Sequence, residues 1–168
     1  LPQAGRTSRG KHAANVFELQ RENEKEGTQE ETIRTCLVIT RNFQDRSDLK
    51  HILMCTANGI CKKIDMLDPT KVRRTGIRGI SLDEGDSLIS AALTDGDREL
   101  FFTSRNGMGL RVHESTIRSM GRDARGVIGM RLDPSDQVVS AFTHSGSGMM
   151  LTVAENGYGN QSEIHAFT

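Results

Sequence analysis

The chain has 168 residues, of which 35% are hydrophobic, enough for one sizeable domain with a buried core. Its 22 basic and 22 acidic residues cancel, which argues against nucleic-acid binding by bulk charge alone and makes the distribution of charge the informative feature. Because the sequence contains no apolar run of about eighteen residues and no hydrophobic leader, we expect no membrane span and a cytoplasmic location.

The predicted elements repeat along the chain. The first copy is degenerate, beginning with "RGKHAANVFEL" at Arg9 and continuing into the glutamate-rich insertion "ELQRENEKEGTQEE". Three Asn-Gly pairs then follow, beginning at Asn58, Asn106 and Asn156, so that successive pairs are 48 and 50 residues apart. A fixed period of this length is typical of repeat architectures.

Each unit is predicted to contain four short strands. An Asn-Gly pair between two apolar runs predicts a hairpin with a type I′ turn, in which both central residues have positive φ. Polar connections and the acidic turns "DEGD" and "DPSD" lead to the third and fourth strands. In the two best copies the strands are "ILMCTA" and "ELFFTS", "ICKKIDM" and "MGLRVHE", "IRGISL" and "VIGMRL", and "SLISAAL" and "QVVSAFT".

Four strands per unit of about 50 residues predict an all-β, propeller-like radial array. We interpret residues 1–168 as a single partial domain, because such arrays close with about four to eight blades and this chain holds about three. The predicted units are 1–50, 51–97, 98–147 and 148–168, the last being the start of a further blade.

Basic residues recur in the connection before the third strand of each unit, whereas the acidic residues collect in other turns and in the insertion. Equivalent loops of a radial array lie at equivalent height, so we expect these loops to form a basic belt suited to the phosphates of a curved polyanion. The belt residues are Arg6, Arg9 and Lys11, then Lys71, Arg73, Arg74 and Arg78, then Arg118, Arg122 and Arg125. The alternative is that these loops are merely solvated.

Longer strings resemble the C-terminal domain of the A subunit of bacterial DNA gyrase, namely "RRTGIRGISLDEGDSLISAALTDGD", "TSRNGMGLRVHESTIRSMGRDARGVIGMRL" and "MLTVAENGYG". The resemblance implies a β-pinwheel, normally six-bladed, in which neighbouring blades exchange strands. It also implies that the domain wraps double-stranded DNA around its rim, largely independently of sequence, to direct negative supercoiling. It adds a basic pair after the hairpin, so the expected DNA contacts are Arg6, Arg9, Lys11, Lys62, Lys63, Arg73, Arg74, Arg78, Arg118, Arg122 and Arg125.

No catalytic residue, metal site or cofactor is expected in this chain. Tyr158 lies in a hairpin, and no histidine belongs to a nucleophile or metal set. Cys36, Cys55 and Cys61 lack metal-ligand spacing and are predicted to be buried, reduced thiols.

The resemblance implies a parent type II topoisomerase that uses ATP and Mg²⁺ through other domains, with the core of the gyrase A subunit and the gyrase B subunit as partners. Three alternatives remain: the corresponding domain of topoisomerase IV, a propeller-type protein-interaction module without DNA binding, and an unrecognised hydrolase.

Overall fold

The computed structural model of the chain describes residues 6, 8–9, 32–37, 49–66 and 77–167. The chain divides into two compact units, Leu1–Arg34 with Leu67–Ile77 and Thr35–Met66 with Arg78–Thr168. Few residues of the first unit are described, and Arg6 and Arg9 among them are exposed. The second unit contains every strand that the structure describes.

The described part of the second unit contains nine strands, two single-turn 3₁₀ helices and no α-helix. The strands are β1 (His51–Thr56), β2 (Ile60–Asp65), β3 (Leu88–Thr94), β4 (Glu99–Ser104), β5 (Gly109–His113), β6 (Val127–Ile128), β7 (Val138–His144), β8 (Met149–Val153) and β9 (Gly159–Glu163). The 3₁₀ turns are Glu114–Thr116 after β5 and Ile164–Ala166 after β9. The all-β class is confirmed, and no helix within the described stretches is long and apolar enough to cross a bilayer.

Each Asn-Gly pair lies in the loop of a hairpin, as predicted, but the turn is not type I′. The glycines Gly59, Gly107 and Gly157 have φ of 78°, 85° and 86°, whereas no asparagine preceding them has positive φ. The Gly59 N–H donates to the Thr56 carbonyl at 3.0 Å, and the other two loops repeat this bond. In such a loop an ordinary turn is followed by one left-handed residue, so only the glycine needs the unusual conformation.

The strands form three antiparallel sheets with the orders β3-β1-β2-β6, β5-β4-β7 and β8-β9. The first sheet takes its outer strand from the following repeat, because β6 pairs Val127 with Cys61 and Ile128 with Ile60. This is the exchange of strands that the resemblance implied. Backbone hydrogen bonds therefore join consecutive repeats. The repeat boundaries stay a prediction, because most of the first predicted repeat, residues 1–50, lies outside the described residues.

Of the two predicted third strands, one does not form and the other is shorter than predicted. Residues 77–82 form no strand, and only the first two residues of "VIGMRL" form one. The reason in the second case is the close approach at Gly129, whose N–H donates to the Gly59 carbonyl at 2.8 Å. The Met130 N–H donates to the same carbonyl at 3.2 Å, so the chain crosses over the hairpin loop instead of continuing along β2. A Cβ on Gly129 would lie 2.6 Å from Sγ of Cys61, so only glycine allows this approach.

The acidic turns fix the hairpin tips. Oδ1 of Asp86 accepts hydrogen bonds from the N–H of Asn58 at 3.0 Å and from the N–H of Ser87 at 2.8 Å. Oδ1 of Asp136 likewise accepts from the N–H of Asn106 at 3.1 Å and from the N–H of Gln137 at 2.8 Å. Each carboxylate therefore satisfies backbone donors of a loop that has no strand partner at that point.

Two hydrophobic clusters form the core of the second unit. The larger one lies between the first two sheets and consists of Leu53, Cys55, Cys61, Leu100, Phe102, Ile117, Met130, Val138 and Ala141. The smaller one consists of Phe101, Met150 and Ile164, and it packs the second sheet against the last hairpin. Successive repeats therefore share buried apolar surface as well as exchanged backbone hydrogen bonds.

The cysteines only partly follow the expectation. Cys55 and Cys61 are buried and free, with their Sγ atoms 3.0 Å apart across β1 and β2. The hydrogen bond to Cys55, together with burial, raises the pKa of the Cys61 thiol, which keeps it protonated. Cys36 is exposed, contrary to the prediction, and lies in a described stretch that belongs to no strand.

Candidate nucleic-acid interface

The basic loop, residues 118–126, connects the first 3₁₀ turn to β6 and carries three arginines. Arg118, Arg122 and Arg125 are all exposed. The loop lies along β2, where Ser119 forms a parallel bridge with Lys63. The three guanidinium groups therefore project from backbone that is attached to the first sheet.

Two hydrogen bonds attach the start of the basic loop to β2. The Met120 N–H donates to the Lys63 carbonyl at 2.8 Å, and the Ser119 hydroxyl donates to Oδ1 of Asp65 at 2.6 Å. The Ser119 hydroxyl, and to a lesser extent His51, holds the pKa of Asp65 below its usual range. Asp65 therefore remains a charged acceptor at neutral pH.

Lys62 lies beneath the basic loop and is not on the rim, which corrects the prediction. Its side chain is 0% exposed, and Nζ donates to the Arg122 carbonyl at 2.5 Å. That carbonyl belongs to a turn closed by the Ala124 N–H donating to the Gly121 carbonyl at 3.2 Å. Burial lowers the pKa of Lys62, and the negative charge of Asp123 acts in the opposite direction. Lys62 thus supports the loop and cannot itself reach a phosphate in this conformation.

Lys63 is also buried, which is a second correction. Its Nζ lies 3.4 Å from Oε1 of Glu114 and donates to the Glu114 carbonyl at 3.2 Å. The Thr94 hydroxyl donates to the other oxygen of the same carboxylate. Glu114 is 0% exposed, so this ion pair is a buried connection between β2, the end of β3 and the first 3₁₀ turn.

The burial of both lysines has one physical cause. Adjacent residues of a strand point to opposite faces of the sheet. Lys62 contacts the basic loop and Lys63 contacts the 3₁₀ turn, so the following repeat covers both faces of β2. The two lysines were expected to contact DNA because the resemblance implies a basic pair after the hairpin; an exposed face, common in antiparallel sheets, is what that contact would need.

One arginine of the basic loop is paired with a carboxylate. Arg125 forms an ion pair with Asp83 of the acidic turn before β3, and the two side chains remain 67% and 42% exposed. A pair this exposed contributes little to stability and is screened by salt. Arg125 is therefore held near one orientation but stays accessible to another anion.

Each of the remaining predicted contacts is either exposed or outside the described residues. Arg118 and Arg122 contact no carboxylate among the described residues, and Arg78 is exposed in the same unit. Arg6 and Arg9 are exposed in the first compact unit, whereas Lys11, Arg73 and Arg74, like the belt residue Lys71, lie outside the described residues. The structure thus brings together the three arginines of one loop, while the continuity of the belt from unit to unit stays a prediction.

Two charged residues of the second unit were missed in the sequence analysis, and one of them contacts the basic loop. Asp83 was interpreted only as a turn residue, although its carboxylate contacts Arg125 of the basic loop. Arg111 has the place on β5 that Lys63 has on β2, opposite Phe101 as Lys63 is opposite Leu53. Arg111 is half-buried, with a guanidinium nitrogen 3.0 Å from Nδ1 of His165. Arg111 lies 48 residues after Lys63, and this repeat spacing was the signal in the sequence that could have identified it.

The chemistry of this region is that of anion binding. Guanidinium groups donate several hydrogen bonds in a planar fork that matches phosphate oxygens, and they keep their charge at any physiological pH. Within the described stretches there is no group of three or more histidine, cysteine or acidic side chains placed to hold a metal ion.

Repeated hairpins in three sheets, with an outer strand supplied by the following repeat, define a β-propeller-like repeat protein. The chain belongs to the family described as "DNA gyrase C-terminal domain, beta-propeller", which matches residues 50–95 and 98–145. It is 35% identical to the A subunit of DNA gyrase from Haloquadratum walsbyi over 99% of this chain and 19% of that protein. It is also 35% identical to the A subunit of DNA gyrase from Escherichia coli over 98% of this chain and 17% of that protein. The chain thus spans about a fifth of the length of these relatives.

Solved structures agree with the fold. The C-terminal domain of DNA topoisomerase IV superposes with a TM-score of 0.75 at 26% identity, over 95% of this chain and 46% of that one. The DNA gyrase A C-terminal domain gives a TM-score of 0.62 at 26% identity, over 70% of this chain and 39% of that one. The predicted family and propeller fold are therefore confirmed.

Proposed function

We propose that this chain binds double-stranded DNA through the phosphate backbone and serves as the DNA-wrapping module of a type II topoisomerase of the gyrase kind. The observation that carries the proposal is the basic loop, which presents three exposed arginines from backbone fixed on β2. Fixed guanidinium groups are suited to phosphate contacts, which position a protein on duplex DNA without reading its sequence. Family membership supports the same conclusion.

The binding is largely independent of sequence. Reading bases from the major groove requires an element such as a helix or a β-ribbon inserted into the groove. The basic loop is neither of these: it is a short surface connection whose three arginines belong to no helix or strand. Contacts to a bent backbone, with curvature imposed by successive repeats, are the mechanism that fits such a surface.

In the parent enzyme this module acts beside other domains. We propose the core of the gyrase A subunit and the gyrase B subunit as its partners in a cytoplasmic bacterial topoisomerase, with ATP and Mg²⁺ used outside this chain. Bending the duplex around the module would present a crossing segment to the cleavage core, which gives supercoiling its direction.

Affinity for several unrelated duplexes tests the binding. We expect Arg122→Ala to weaken binding to every duplex by a similar factor, of roughly three- to tenfold at low salt, because it removes one phosphate contact. The matched control is Arg105→Ala, which removes the same charge from an exposed hairpin tip where Arg105 contacts Gln137. Equal effects of the two substitutions, or a strong preference for one sequence, would contradict the proposal.

A protein-interaction module remains the second candidate, and one observation favours it. An open groove of about 470 Å³ beside β5 is lined by Met108, Leu110, Ile128 and Met130 together with Arg131 and two glycines. Exposed apolar surface of this kind is common at protein contacts. A ligand for this groove whose affinity does not change with salt, in a chain that binds no duplex, would favour this second function.

A further inference from the structure

We propose that Lys62 is the positioning residue for the basic loop: its buried ammonium group holds the backbone at Arg122 so that the three arginines can meet phosphate groups together. The inference rests on the DNA binding proposed above and assigns to Lys62 a role different from the direct contact that its sequence suggested.

Lys62 and the basic loop depend on each other. Nζ of Lys62 donates to the Arg122 carbonyl at 2.5 Å, and the side chain is 0% exposed. A buried ammonium group is strongly destabilising unless it is hydrogen-bonded. The loop supplies the acceptor, and the lysine in turn fixes the middle of the turn from Gly121 to Ala124. Without this acceptor the buried ammonium group of Lys62 would be left unsatisfied.

The strand itself does not require a lysine at this position. Lys62 lies opposite Met54, and the corresponding residue of the next hairpin is Leu110, opposite Phe102. Leucine therefore fits the same place in a repeat of the same fold. The lysine is needed for what it contacts, namely the basic loop.

An ordered basic loop also loses less conformational entropy when it binds its ligand. Ordering a flexible loop when a ligand binds reduces affinity, and a loop that is already ordered avoids that cost. The start of the loop is held by the Met120 N–H bond to Lys63, and its end by the pairing of Val127 with Cys61. Lys62 holds the part between these two points, where Arg122 lies.

The test uses the variant Lys62→Leu, which copies the residue of the next repeat. We expect amide hydrogen exchange at Met120 and Ala124 to become faster, because the loop loses its central attachment. Duplex affinity should fall about three- to tenfold, comparable to the effect of Arg122→Ala. Adding Lys62→Leu to a variant in which Arg118, Arg122 and Arg125 are all alanine should cause no further loss of affinity, because Lys62 acts through these three side chains.

The control is Ile164→Ala, which truncates the separate cluster with Phe101 and Met150. It should lower the thermal stability of the chain while leaving the exchange of the loop amides and the affinity of the folded protein unchanged. This separates positioning of the loop from loss of overall stability.

Unchanged loop exchange in Lys62→Leu, or an undiminished affinity loss when Lys62→Leu is added to the triple arginine variant, would overturn the inference. If the wild-type chain binds no duplex, the proposed function fails and the DNA part of the inference fails with it. In that case the exchange of the loop amides still decides separately whether Lys62 orders the loop.

Discussion

Ser135 has a backbone conformation that favours glycine. Its φ is 71°, and it is the one residue other than glycine with a positive φ in the described part of the chain. Fifty residues earlier the equivalent turn has Gly85 at a φ of 77°. The same turn therefore occurs twice, once with the residue that adopts it freely and once with a residue that carries steric strain.

Replacing Ser135 with glycine should stabilise the chain. A left-handed conformation costs a residue with a Cβ about 1–2 kcal/mol, and the greater freedom of glycine in the unfolded chain offsets about 0.5–1 kcal/mol of the gain. We expect a net increase of about 0.5 kcal/mol in the free energy of unfolding, measured by chemical denaturation. The reciprocal change Gly85→Ser should destabilise by a similar amount. A less stable Ser135→Gly variant would show that the serine side chain contributes more than the strain costs.

Asp136 makes stability depend on pH. The hydroxyl of Ser104, followed by the N–H groups of Gln137 and Asn106, holds the pKa of the Asp136 carboxyl below its usual range. Because the folded state depresses this pKa, the stabilisation is complete above the unfolded value of about 4 and is lost as the pH falls through the lower folded value. Asp136→Asn should therefore show a smaller drop in Tm between pH 6 and pH 2 than the wild type. Asp133→Asn, which changes an exposed carboxylate in the same turn, should retain the wild-type drop.

At the scale of elements, the Lys63–Glu114 pair connects β2 to the 3₁₀ turn of the next repeat. Removing one member of a buried ion pair leaves the other charge unpaired, which costs about 3–5 kcal/mol. We expect Lys63→Met to cause a loss of this size in the free energy of unfolding.

Adding Glu114→Ile, which copies Ile164 of the next repeat, should recover about half of that loss or more, because no charge then remains buried. The double-mutant cycle in chemical denaturation measures this coupling. Additive losses would mean that the pair does not stabilise the contact between the repeats.

The acidic turn before β3 restrains the basic loop through Arg125. Asp83→Asn should increase affinity for duplex DNA about two- to fivefold at low salt, because phosphate no longer competes with an exposed ion pair worth up to about 1 kcal/mol. The matched control is Asp133→Asn, the same change at the equivalent turn fifty residues later, where no arginine contact occurs among the described residues. An equal gain in the two variants would show a general charge effect instead of release of Arg125.

The elements themselves were largely predictable from the sequence. Hairpins follow from the Asn-Gly pairs, because few other residues tolerate the left-handed position that the loop needs. The lengths of the third strands were not predictable, since β6 ends where Gly129 packs onto Cys61, a residue 68 positions away. The burial of Lys62 and Lys63 was missed for the same reason, because what covers β2 arrives from the next repeat.

For the whole molecule, zero net charge and anion binding are compatible because the charges are used in different places. Asp86 and Asp136 bond to backbone N–H groups and Glu114 pairs with Lys63, whereas the arginines of the basic loop are exposed. Composition alone therefore underestimates the positive charge that an approaching duplex meets. The repeat revealed this separation because equivalent loops carry the same sign of charge.

The measurement that tests the central claim most directly is the salt dependence of duplex binding by the wild-type chain and by a variant with Arg118, Arg122 and Arg125 all changed to alanine. Removing one phosphate contact should reduce the slope of the logarithm of the association constant against the logarithm of salt concentration by about 0.9, so the triple variant should show a reduction of up to about 2.7. Arg105→Ala should keep the wild-type slope. A triple variant with wild-type affinity and slope would show that DNA does not bind at the basic loop.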